Sequence, residues 1–384
     1  MNDQVHKASE ENSSCAVKAC GNELLSRTQC NLLRGVAILG IFLHNYCHWL
    51  NPVVKENEYT FTRYNVERFT QAMLHPDVLF PLHVLSFFGH YGVPVFLFLS
   101  AYGLVRKYES GSSIPFQGVT ESRFAVFSGA SEGLNFIVSH FLKLFKMMLI
   151  GFVLFTIVDA LTPPSFHYKF VNIIAQLGMF NNLLPDPDRI IWPGPYWFFG
   201  LMLQLYVVYR LLMYRRHWSV VVTLIVCCWL VQAFCDPEGE TINRIRYNFV
   251  GGMLPFGAGY LYARFGRECS KPAYAAVLLL SGVAVVAFSY NFQTWFSVPL
   301  FVCFGCVAAV KLLPERGTAV SWLAWMGSLS AALFVCHPVI RKIFIPYSRR
   351  GDVYTGLLLY VIASIAVAWA VRELMKRIPD TRLK

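Results

Sequence analysis

NLLRGVAILGIFLHNYCHWL, residues 31 to 50, is the stretch that decides how this chain folds. Its length matches the roughly 20 apolar residues a helix needs to cross a bilayer. Arg34, His44 and His48 interrupt it. Cations and imidazoles are expensive in hydrocarbon, so in such a helix they face protein or a water-filled cavity. At a rise of about 1.5 Å per residue, His44 lies roughly 15 Å along the axis from Arg34. With Arg34 near one face, His44 falls near the bilayer midplane, a depth suited to buried chemistry or transport.

The rest of the chain has the same character. Its 384 residues are 56% hydrophobic and only 14% charged, against roughly 25% charged in a soluble domain. About ten long apolar stretches follow one another: 31–50, 81–105, 136–160, 195–214, 217–235, 247–265, 272–290, 294–313, 321–345 and 353–373. Phe170 to Leu184 is shorter and reads as a re-entrant or interfacial piece. No soluble stretch between them is long enough for a separate globular domain. The expected architecture is an all-α integral membrane bundle over residues 31–378. A polar tail of residues 1–30 precedes it and a short tail of 379–384 follows.

The first thirty residues lack an apolar core before a small-residue cleavage site, so they read as a tail and not a signal peptide. With ten crossings, both termini share a side with the loops near 106–133, 210–216, 264–271 and 311–320. Lys and Arg are in excess there, which points to both termini in the cytoplasm of a cell (inner or plasma) membrane crossed several times. The net charge of +11 then reflects topology and attraction to anionic lipid, not nucleic-acid binding. Cys227, Cys228, Cys303, Cys306 and Cys336 fall within the apolar stretches, where free cysteines pack as small apolar groups. The Cys303–Cys306 pair has no second pair or nearby histidine to complete a zinc site, and no metal is expected.

Four further stretches carry polar groups at membrane depth. Residues 89–104, GHYGVPVFLFLSAYGL, combine small residues that let helices approach with Pro94, which predicts a kink, and with His90 and Ser100. Lys143 and Lys146 share a helix face near the cytoplasmic end of the third stretch, and either snorkel to headgroups or form a basic pocket. Trp197 stands at an interface, and Gln204, about mid-membrane, needs an amide partner, as structural glue or as a substrate contact. MGSLSAALFVCHP, residues 326–338, brings Ser330 and His337, the latter read first as a satisfied structural histidine. Arg34 either anchors the inner end of the first helix or pairs with an intramembrane carboxylate, for which Glu373 near the inner end of the last stretch is better placed than Asp159 near the outer end of the third.

Taken in order, LRGVAIL…H, GVPVFLFLSAYGL, YWFFGLMLQLY and MGSLSAALFVCHP resemble the acyltransferase 3 family of multi-pass membrane enzymes, from about Asn31 to Ile378. The resemblance implies an O-acyltransferase that moves an acyl group, acetyl first, from acyl-CoA to a hydroxyl of a cell-surface carbohydrate or glycolipid. It assigns His44 as general base with Arg34 on the same helix, and places Lys143 and Lys146 at the donor's phosphates. Ser100, Gly103, Trp197, Gln204, Tyr206, Gly327, Ser330 and His337 match its later motifs. Many members have ten residues between the arginine and the histidine; here there are nine. Ten helical steps leave Arg34 and His44 about 80° apart. Either a local bulge re-aims His44, or His48, roughly 40° off Arg34's face, shares its work. Met202 and Leu203 stand where some polysaccharide-modifying members carry two glutamates, and no appended esterase-like domain is expected after the last stretch.

Such a transfer needs a base that titrates near neutral pH, donors for the oxyanion, and cations for the donor's phosphates. The aromatic loop 51–80, with Tyr59, Phe61, Tyr64, Phe69 and His75, is suited to a sugar face or to interfacial anchoring. The bilayer and the acceptor are the expected partners, and a homo-oligomer is compatible with the composition. Two other classes compete. A transporter or flippase of an acylated glycan or lipid intermediate would use the same polar cavity, but no internal repeat is visible. A haem or quinone oxidoreductase would need paired histidines at matched depths, and only His44 and His90 offer that.

Overall fold

A computed structural model describes residues 24–109 and 130–378, and these are helical with no strand among them. The expected tails up to residue 23 and from 379, and most of the 106–133 loop, lie outside the described residues. Helix α1 (Arg27–Cys47) starts before the apolar stretch because Ser26 and Gln29 close a capping box. The Ser26 hydroxyl accepts from the Gln29 N–H at 3.1 Å, and the Gln29 side chain accepts from the Ser26 N–H at 3.0 Å. Two otherwise unpaired amides are thereby satisfied. The helix ends at Cys47, before the end of the apolar stretch, so His44 lies in its last turn, further toward the C-terminal end than the sequence placed it.

After α1 come α2 (Arg63–Leu74), α3 (Phe80–Phe88), a 3-10 turn (Gly89–Tyr91) and α4 (Gly92–Tyr108). Then follow α5 (Ala130–Leu161), α6 (Phe170–Leu177), α7 (Pro187–Ile190) and α8 (Trp197–Val208), which runs into a π-helical turn at Tyr209–Met213. The remaining helices are α9 (Trp218–Ala233), α10 (Glu240–Arg246), α11 (Phe249–Phe265), α12 (Lys271–Phe288), α13 (Phe292–Trp295), α14 (Val298–Leu312), α15 (Thr318–Arg349) and α16 (Val353–Arg377).

Every apolar stretch read from the sequence holds a helix. Among the described residues, six spans are long and apolar enough to cross a membrane: Phe80–Tyr108, Glu132–Leu161, Gly194–Met213, Lys271–Phe288, Thr318–Arg349 and Val353–Arg377. Helices α9 and α14 are apolar but shorter. At 21 residues α1 has the length, but its polar side chains lower its hydropathy, and α11 has only 17 residues. The short piece at 170–184 is amphipathic in α6, with Phe170, Val171 and Ile174 exposed and Ala175 and Gln176 buried.

Helix α15 lies along α1 and is flanked by α16 and α5, while α4 packs on α11 and α12 on α14. The α1–α15 seam depends on two glycines. A Cβ on Gly327 would come within 1.8 Å of the Asn31 carbonyl oxygen, and one on Gly35 within 2.2 Å of that of Leu323. In lipid, helices gain little from hydrophobic burial against one another, so backbone-close packing of this kind holds the bundle together. Leu279, Leu280 and Val283 of α12, and Leu358 and Ile362 of α16, remain exposed on the outside. The break expected at Pro94 falls instead at Gly89–Tyr91. Pro94 itself sits in the first turn of α4, where a missing N–H costs little.

Candidate active site

The site forms at the end of the bundle where α1 stops. The chain leaves α1 at His48 and doubles back, and the returning segment lays Glu56 against two histidines of the helix it has just left. His44 is buried, and its Nδ1 is 2.8 Å from the Ser86 carbonyl oxygen. A carbonyl only accepts, so Nδ1 carries the proton and Nε2 keeps its lone pair. Ser86 is itself fixed, its hydroxyl donating to the Val54 carbonyl at 2.6 Å. His44 Nε2 lies 3.8 Å from Glu56 Oε1, and the same oxygen is 3.0 Å from His48 Nδ1. One helical turn separates the two imidazoles, whose ring centres are 4.9 Å apart. Burial alone would raise the Glu56 pKa, but His48 and His44 outweigh it and hold the carboxyl below its usual range, so it stays ionised.

Two more groups reach the same space. The 3-10 turn presses against α1 because Gly89 has no side chain; a Cβ there would come within 2.6 Å of His44 Cβ. That approach sets His90 beside His44, with ring centres 5.5 Å apart. His90 is buried, and neither of its ring nitrogens has a hydrogen-bond partner among the described residues. From α15, buried Arg341 donates to the Asn45 carbonyl and to Asn45 Oδ1, both at 3.2 Å, and lies over the Trp49 ring.

These groups line a cavity of about 290 Å³. Its aromatic wall includes Tyr59, which stacks on Tyr247 at 3.8 Å and meets Trp197 edge-on. Its acidic wall holds Glu56, Glu58 and Asp188. Asp188 accepts from the Tyr247 hydroxyl at 2.5 Å and from the Asn243 amide at 2.8 Å. Burial, and then the neighbouring Glu56 charge, push the Glu58 carboxyl up to about 8, so at neutral pH it is protonated and can donate.

Of the residues singled out from sequence, His44, His48, Tyr59, His90 and Trp197 converge on this cavity. Arg34 does not. It donates to Asn31 Oδ1 at 3.1 Å, and its expected partner Glu373 instead pairs with Arg372 and Lys376. α1 is α-helical throughout, so no bulge turns His44 onto Arg34's face, and His48 is the group that joins it. Gln204 does not line this cavity, and both ends of its amide are engaged. It donates to Asn248 Oδ1 at 2.7 Å and accepts from the first N–H of α11, that of Phe249, at 3.0 Å. Ser100 meets the Tyr206 hydroxyl deeper along α4. Ser330 and His337 are buried on α15, and His337 Nδ1 points back to its own helix at the Leu333 carbonyl, 3.1 Å away. Lys143 is exposed, and Lys146 donates to the Ile378 carbonyl at 2.7 Å, at the end of α16. Cys303 and Cys306 are both free.

Glu56, Glu58, Asp188 and Arg341 are functional candidates that the sequence reading missed. Arg341 carried a signal, standing one helical turn after His337 on the same face. The two glutamates carried a weaker one, as the acids of the loop that follows a histidine-bearing helix end. The ligand atoms of His44, His48 and Glu56 also lie within 4.8 Å of one another, a spacing that a divalent cation could use. Cation binding and proton abstraction would compete for the same Nε2 lone pair.

A helical bundle with spans of membrane-crossing length and a buried histidine at a polar cavity has the architecture of a multi-pass membrane protein. The family model for the acyltransferase domain of the acyltransferase 3 family matches residues 28–373, nearly the whole chain, and the chain belongs to that family. It is a multi-pass membrane acyltransferase. No curated protein and no solved structure matches it.

Proposed function

We propose that the protein transfers an acyl group, acetyl first, from acyl-CoA to a hydroxyl of a cell-surface carbohydrate or glycolipid, with His44 as general base. The observation that carries this reading is the Ser86 carbonyl on His44 Nδ1, which leaves Nε2 basic toward the cavity. The acceptor hydroxyl gives its proton to Nε2 as its oxygen attacks the thioester carbonyl. The tetrahedral intermediate then collapses with cleavage of the C–S bond, and the departing sulfur takes the proton back from His44. Free thiol and a new ester result. Glu56 stabilises the imidazolium between the two proton transfers, and Arg341 and His90 supply donors for the oxyanion. The aromatic faces of Tyr59 and Trp197 and the acids of the cavity suit a sugar rich in hydroxyls.

The donor enters in this reading from the opposite, cytoplasmic end, where Arg34, Lys143 and Lys146 meet its phosphates. Ten crossings with both termini in the cytoplasm of a cell membrane complete the picture. The test uses purified protein, labelled acetyl-CoA and a membrane-glycan extract. His44→Ala should retain donor binding and lose roughly 10²- to 10⁴-fold in transfer, and His48→Ala should lose less. Equal transfer by wild type and His44→Ala would remove the histidine base from the mechanism. Donor binding without any labelled ester, across acyl chain lengths, would remove the acyltransferase reading of this cavity.

A further inference from the structure

Beside the histidine cavity lies a second pocket of about 190 Å³, between the end of α5 and α15. The two share Trp49, Trp192 and Arg341 as a common wall. The second pocket adds Lys342 and Arg349. Lys342 forms an ion pair with Asp159 at 2.9 Å and donates to the Pro164 carbonyl at 2.5 Å, which leaves its ammonium further donor capacity. Arg349 directs Nε and one Nη to the Trp49 carbonyl, at 3.2 and 2.9 Å, and keeps its other donors. The indole N–H groups of Trp49 and Trp192 have no hydrogen-bond partner among the described residues. Three cations thus face one carboxylate, Asp159. Across the wall the balance reverses, with the carboxylates of Glu56 and Asp188, and Glu58 in its neutral acid form, against Arg341.

A ligand occupying both spaces carries an anion on one side of the Trp49–Trp192 pair and hydroxyls on the other. Arginine forks with several spare donors suit the oxygens of a phosphate. The rest of the pocket lining is apolar, with Phe155, Pro163, Pro164, Ile345 and Pro346, and Leu161, Ile343 and Tyr347, close to it in sequence, are exposed as side chains that face acyl or prenyl chains would be. We infer that this pocket binds the phosphate of a lipid-anchored acceptor and so places the acceptor's hydroxyl at His44. The inference rests on the acyl-transfer reading above for the role of that hydroxyl, but the binding is measurable without transfer.

The test is native mass spectrometry of the full chain released from dodecyl maltoside micelles doped with dodecyl phosphate. Wild type should retain dodecyl phosphate saturably. Lys342→Gln and Arg349→Gln should each weaken retention by about tenfold, the size of one charge-assisted contact. Arg349→Lys should keep most of it, which separates lost charge from a disturbed fold. Asp159→Asn, which removes the opposing carboxylate, should strengthen it. Retention unchanged in both glutamine variants overturns the site. Displacement by inorganic phosphate at equal concentration overturns the lipid anchor and makes this a free-phosphate pocket. Retention that behaves as expected in a protein that transfers no acyl group would sink the transfer reading and leave this site standing.

Discussion

Replacing Glu56 by glutamine isolates the charge of that group from its shape. A glutamine oxygen can still accept from His48 Nδ1, now at 3.0 Å, so the returning loop keeps its anchor while the carboxylate disappears. In the proposed mechanism the charge matters when His44 becomes an imidazolium, with Nε2 only 3.8 Å from Glu56 Oε1. Coulomb's law at an effective dielectric constant of ~20 gives about 4 kcal/mol of attraction at that separation. The carboxylate is desolvated in the resting enzyme too, and relaxation of the site recovers part of the loss, which brings the net effect to roughly 2–4 kcal/mol. In rate terms that is a drop in kcat of about 30- to 900-fold. The assay follows thiol release from acetyl-CoA in nanodiscs with saturating acceptor, alongside donor binding at equilibrium. The expected pattern is a lower kcat with unchanged donor affinity, because the charge acts only once the proton has moved. A Glu56→Gln enzyme that keeps more than half of the wild-type kcat would refute the idea that this carboxylate supports the base.

Three other outcomes follow from the same geometry. Treatment with EDTA or phenanthroline should leave transfer unchanged, since the proposed mechanism uses an uncoordinated lone pair on His44; activity lost on chelation and restored by one divalent metal would turn His44, His48 and Glu56 into ligands. Gly327→Ala puts a Cβ 1.8 Å from the Asn31 carbonyl oxygen, so the α1–α15 seam must open at a cost of about 1–3 kcal/mol, and a melting temperature equal to wild type would show that the seam is looser than described. Glu58 has a folded-state pKa raised to about 8 from 4.5, so the folded protein holds an extra proton between those values and stability falls as pH rises through that window; melting curves from pH 5 to pH 9 should decline less for Glu58→Gln, and identical curves would count against a protonated Glu58.

What could be read in the sequence was set by the physics of one helix at a time. Each apolar stretch became a helix because the period and length of a span are local properties, and the ten-step spacing already separated Arg34 from His44 in angle and named His48 as its alternative. Gln204 was legible in the same way, since a mid-helix amide must find a partner, although nothing local said that the partner would be the start of α11. Pro94 misled because a proline signals a break without locating it, and the Gly89 contact with α1 moved the break upstream. Glu56 and Arg341 lay beyond this logic. Their distance to His44 depends on how a loop folds back and how closely α15 approaches α1, and that approach is fixed by glycines touching carbonyls in another helix. A glycine in a sequence announces that something comes close, but not what. The same reason explains why the acid-lined and cationic sides of the Trp49–Trp192 wall are invisible in the chain's overall +11 charge: opposite fields a few ångströms apart arise from loops and helices far apart in sequence. Chemistry between helices is therefore written in contacts, and the Glu56→Gln and Arg349→Gln variants probe two of those contacts from either side of one wall.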